Sequence, residues 1–92
     1  MRYMVKTVLT AQQALDQATA YFGPGGKGLT MTFQRKRAVS WEGGGGQVNL
    51  TIKSDSPTLL EIETRAWEDA VRQFIAQIPQ RQSWWARLWS RN

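Results

Sequence analysis

The chain contains no cysteine and no histidine. Without cysteine there is no disulfide and no thiolate metal site. Without histidine the commonest general base and metal ligand are missing, and so is every Ser-His or Cys-His nucleophile system. Acids are sparse as well, seven in all, so a carboxylate site for magnesium or calcium would need several of them to converge. Long apolar runs are also missing. No stretch approaches the ~20 apolar residues of a membrane span, and "MRYMVKTVL" is too short and too alternating for the core of a signal peptide. With Met1 read as a native start, these absences lead to the expectation of a non-enzymatic, cytoplasmic protein with no cofactor and at most peripheral membrane contact.

Ninety-two residues make one domain. A chain of this size buries roughly 60–65% of its unfolded surface, so its core is modest. The net charge of +5 is unevenly spread. Residues 1–54 carry Arg2, Lys6, Lys27, Arg35, Lys36, Arg37 and Lys53 against Asp16 and Glu42. Residues 55–78 are acidic, and residues 79–92 carry Arg81, Arg87 and Arg91 with no acid. A basic balance favours anionic partners, nucleic acid or lipid head groups, without choosing between them.

Alternation of apolar and polar residues predicts strands at 3–9, 29–35, 38–41, 47–53 and 58–64. Leu29, Met31 and Phe33 are expected inward, as are Val39, Trp41, Val48, Leu50, Ile52, Leu60 and Ile62. Thr10 with Gln13 three residues on is a capping-box pattern, and Ala11, Ala14, Leu15, Ala18 and Phe22 follow at helical spacing. "GPGGKG" (23–28) reads as the stop of that helix, with Gly23 left-handed at its end. It is not a phosphate loop: Tyr21 stands where the first glycine of that pattern belongs, and Gly28 stands in place of the Ser/Thr. "EGGGG" (42–46) is a turn permissive of positive φ.

Thr64 is placed to cap a second helix. Trp67, Ala70, Val71, Phe74, Ile75 and Ile78 give this helix the strongest 3.6-residue period in the chain. Glu68 and Arg72 are expected to pair across one turn, and Pro79 marks the end or a kink.

The fold class is therefore α+β, in the order β-α-β-β-β-β-α: a four-strand antiparallel meander plus an N-terminal strand, one face covered by two helices. The domain spans 1–79, and 80–92 form an aromatic-basic tail. The order β-α-β4-α over residues 3–78 resembles that of a TATA-binding-protein half-repeat, or of a shortened helix-grip domain of the Bet v 1 kind. "FGPGGKGL" and "EGGGG" are similar to strings in short bacterial proteins without an assigned activity.

The first likeness implies nucleic-acid binding through the uncovered sheet face, with apolar wedges. That face is expected to show Thr30, Thr32, Gln34, Asn49, Thr51, Lys53, Glu61 and Glu63, with no aromatic. A nucleic-acid reading then rests on the basic hairpin tip, Arg35, Lys36 and Arg37, as an anion contact. The helix-grip likeness implies a cavity for a lipophilic ligand, lined by Trp41, Leu50, Ile62, Val71 and Phe74, the same residues that the core needs. Glu61 and Glu63 share one strand face, a spacing that would suit acid–base chemistry, and are expected instead to keep the open face soluble.

The tail, "SWWARLWSRN", concentrates recognition chemistry. At 100° per residue Trp84, Trp85, Leu88 and Trp89 fall on one arc, and Arg81, Arg87 and Arg91 add charge. Three fates are open to it: folding back over the core, docking on a protein partner or on a second copy, or lying at an anionic membrane surface. Contact is expected at these seven residues, with nucleic acid as the alternative partner through Arg35–Arg37.

Overall fold

The structure is a computed structural model and describes residues 1–55 and 57–79. The elements are β1 (Arg2–Thr7), α1 (Ala11–Phe22), β2 (Thr30–Arg35), β3 (Ala38–Gly43), β4 (Gly46–Asp55), β5 (Thr58–Arg65) and α2 (Glu68–Gln77). The strands form one five-stranded sheet in the order β1-β5-β4-β3-β2, antiparallel at every pairing. The meander pairs in sequence order, as short turns require. β1 closes the sheet beside β5, with Val5 opposite Leu60.

α1 starts as its sequence dictates. The Thr10 hydroxyl accepts from the Gln13 N–H, and the Gln13 side chain accepts from the Thr10 N–H, which completes a capping box. The small residues Ala14 and Ala18 are fully buried and let the helix lie close to the sheet. At its far end the glycine-rich loop folds back on the last carbonyls. Gly23 N donates to Thr19 O, Lys27 N to Tyr21 O and Leu29 N to Phe22 O, so groups that a helix end otherwise leaves unpaired are satisfied. Gly23 has φ −75; the left-handed residue of this loop is Gly28, at φ +80.

Both helices lie on one sheet face, and the core sits between. Phe22 of α1 packs 5.3 Å from Phe74 of α2 and 5.4 Å from Trp41 of β3, between ring centroids. Tyr21 adds a tilted contact to Phe74 at 5.5 Å, and its hydroxyl donates to Gln73. Val39, Trp41, Val48, Leu50, Ile52, Leu60 and Ile62 fill the sheet side, all buried as their alternation predicts. The Trp41 indole N–H has no acceptor among the described residues.

The β3–β4 turn explains the four consecutive glycines. Gly43 pairs with Gly46, leaving Gly44 and Gly45 as a two-residue loop at φ +57 and +80. Positive φ at both positions is the type I′ hairpin turn, whose twist matches the strands. The turn also carries a neighbour: the Trp67 indole lies against it and donates from Nε1 to Gly43 O at 2.9 Å. A Cβ on Gly46 would stand 2.8 Å from the Trp67 ring and 2.3 Å from Arg65 O, so this position is glycine because of close approach.

Thr64 is not the helix cap. It lies in β5, buried, and its hydroxyl donates to Gln47 O. The chain instead reverses at Ala66, φ 72, and Trp67 occupies the cap position with no side-chain bond. Thr64 is drawn into the sheet because its hydroxyl finds a strand carbonyl there. Arg72 does not pair with Glu68; it bonds Asp69 one residue nearer and reaches Tyr3 Oη at 3.4 Å.

Candidate functional site

The open face of the sheet is set by register. Its residues are those opposite the core positions: Arg2, Met4 and Lys6 from β1, Leu59, Glu61, Glu63 and Arg65 from β5, Gln47, Asn49 and Thr51 from β4, and Ala38, Ser40 and Glu42 from β3. β1 joins this face by pairing with β5, a partner that nothing local in the sequence specifies. Its arrival brings two cations.

β2 departs from the alternation. Met31 pairs with Trp41, but Phe33 pairs with Ser40, with a bulge between them. One extra residue shifts everything after it to the other face. Phe33 therefore lies on the open face beside Ser40, 43% exposed, and not inward as the pattern predicts. Gln34 pairs with Val39 and goes to the helix side, where it lines a hollow with Leu15 and Thr19 of α1. Met31 keeps the core-face orientation but is 36% exposed, on the edge strand of the sheet.

The expected anion cluster resolves into three environments. Arg35 follows Phe33 on the open face, and its guanidinium carbon lies 5.4 Å from the Phe33 ring centroid. Lys36 stands at the turn and lines the α1-side hollow with Gln12 and Asp16. Arg37 is engaged: its Nη1 donates to both carboxylate oxygens of Asp55 at 3.1 Å. The bulge and these charges also blunt the β2 edge against pairing with other strands.

The two glutamates of β5 are balanced by neighbours. Glu61 lies 3.6 Å from Arg2 and 3.9 Å from Lys53, and Glu63 lies 3.4 Å from Arg2. Exposed pairs of this kind are worth ~0–1 kcal/mol each, but they cancel the negative charge at the middle of the face. Lys6, Arg35 and Arg65 have no acid within 4 Å among the described residues. On the helix side, the Arg72 pKa is raised above its ordinary value, first by its hydrogen bond to Tyr3.

The residues of the supposed ligand cavity are packed together. Trp41, Leu50, Ile62 and Val71 are fully buried and Phe74 nearly so, with Phe22 wedged among the rings. Open depressions lie at the surface of the described residues, such as the one lined by Thr7, Val8, Leu9, Thr10, Asp55 and Pro57. Among the described residues no cluster of acids could hold a metal ion, and no helix is long and apolar enough to cross a membrane.

Trp84, Trp85, Leu88, Trp89, Arg81, Arg87 and Arg91 lie outside the described residues. What precedes them is fixed: the buried Thr7 hydroxyl donates to Pro79 O and accepts from Leu9 N. The chain thus leaves α2 at the corner between β1 and α1. No protein-family model matches the chain, and no curated protein matches it at a significant level.

Proposed function

We propose that the protein is a small non-enzymatic interaction module, and that its partner contact is made by the aromatic-basic segment after Pro79. The observation that supports this reading is the self-sufficiency of the aromatic core. Phe22, Trp41 and Phe74 interlock at 5.3–5.4 Å, and helices α1 and α2 already cover the apolar sheet face. Residues 80–92 add three further tryptophans and three arginines, and their role in this reading is a contact beyond the domain. Trp and Arg are the residue types that dominate interface energy. The partner is a protein surface, either another protein or a second copy of the chain.

Comparison of the full chain with a chain ending at Gln80 tests this. Light scattering and cross-linking should show association of the full chain, alone or with its partner, that the shortened chain loses while still unfolding cooperatively. A shortened chain that no longer folds would make the segment structural and overturn the reading, as would association unchanged by its removal. Flotation of the full chain, but not the shortened one, with anionic vesicles would replace the protein partner by a membrane surface.

A further inference from the structure

The β2 bulge gives the open face its one exposed aromatic among the described residues, and the surrounding charge says what it would meet. Bulges recur where a strand must re-aim a side chain. Here the bulge turns Phe33 out of the core-facing row and sets it beside Arg35, whose guanidinium lies over the ring.

From that corner a band of cations crosses one end of the sheet. Arg35 and Arg37 lie at the β2–β3 end, while Lys36 between them lines the α1-side hollow. Lys53 follows at the β4 bulge, and Lys6 at the end of β1 opposite Leu59. Five strands at ~4.8 Å spacing carry this band over about 19 Å. Asp55 and Glu61 are its acids, engaged by Arg37 and by Arg2 and Lys53. The polar side chains of Ser40, Asn49 and Thr51 lie along the face between Phe33 and the centre of the sheet.

We infer that this end of the open face binds single-stranded nucleic acid, with one base stacked on Phe33 against Arg35 and the phosphates running along the band toward Lys53 and Lys6. An exposed ring in a positive setting is what single-strand binders use, because every base has a π-face and every nucleotide a charge. A duplex hides its base faces in the stack and offers nothing to Phe33. The hydroxyl and amide groups of Ser40, Asn49 and Thr51 are neutral partners for base edges. The inference does not use the segment after Pro79, so it stands or falls apart from the proposed function.

Fluorescence anisotropy of the full chain with a labelled oligothymidylate of about a dozen nucleotides, a length within known single-strand site sizes, tests it. Phe33→Leu keeps apolar area but removes the π-face and should weaken binding about tenfold, while Phe33→Tyr should bind like the parent chain. Neutralising Lys6 and Lys53 together (K6Q, K53Q) should lower the slope of log K against log salt by about 1.4, the value for two phosphate contacts on a single strand. Lys27→Gln, whose ammonium lies over Tyr21 beside the helices, should change neither. Circular dichroism should show all variants folded, since none replaces a core residue.

No binding at low salt would overturn the inference. So would equal binding of a duplex of the same length, or binding insensitive to Phe33→Leu and lost only on removal of residues 80–92.

Discussion

Alanine at Gly45 and alanine at Gly46 add the same methyl group to adjacent residues, and the structure assigns them different costs. Gly45 has φ +80 and nothing within 4 Å of an added Cβ. Its penalty is conformational alone, about 1–2 kcal/mol for a left-handed L-residue. Gly46 has no positive φ, but a Cβ there meets Arg65 O at 2.3 Å, Ala66 Cβ at 2.7 Å and the Trp67 ring at 2.8 Å.

The carbonyl cannot move without loosening the Gln47–Arg65 end of the β4–β5 ladder. The ring cannot move without disturbing the Trp67–Gly43 hydrogen bond. Overpacking costs about 1–3 kcal/mol and the hydrogen bond about 1 kcal/mol, so Gly46→Ala should cost about 2–4 kcal/mol. For a domain of this size each kcal/mol lowers Tm by roughly 4–8 °C. Thermal melts should therefore fall by about 4–16 °C for Gly45→Ala and by roughly 8–32 °C for Gly46→Ala. Asparagine, which tolerates the left-handed region, should recover part of the loss at 45 and none at 46. A Gly46→Ala melt no lower than that of Gly45→Ala would refute the close-approach argument.

Phe22→Ala should cost about 3–5 kcal/mol in urea unfolding, because it removes the ring that joins both helices to Trp41; a cost below 1 kcal/mol would mean the core collapses around the gap. Trp41→Phe gives up buried volume but also removes an indole N–H that has no acceptor among the described residues. An unsatisfied buried donor costs about 1–3 kcal/mol, so the net change should be near zero, and a loss as large as that of Phe22→Ala would show that the N–H is satisfied in solution.

The element order and the core were legible because they rest on short-range signals. Thr10 and Gln13 cap α1 through atoms three residues apart, and the alternation of Val48, Leu50 and Ile52 fixes which face of β4 is buried. Thr64 misled because a hydroxyl before a helical pattern looks the same whether it caps a helix or bonds across a sheet; Gln47, seventeen residues away, decided between them. The candidate surface was the least legible part. Its cations at Arg2 and Lys6 depend on β1 pairing with β5, and its aromatic depends on one unpaired residue in β2.

The sequence by itself determined the α+β class, the order of the strands and helices, and the buried apolar residues of β3, β4 and β5, since these follow from periodicity and local backbone preference; the buried threonines Thr7, Thr58 and Thr64 were not among them. Tertiary structure alone decided the partner of β1, the use of Gly46 as a seat for Trp67, and the face on which Phe33 stands. "TMTFQR" alternates evenly whether or not a bulge interrupts it. The bulge exists only in the register between β2 and β3, which is a property of two strands together and not of either one.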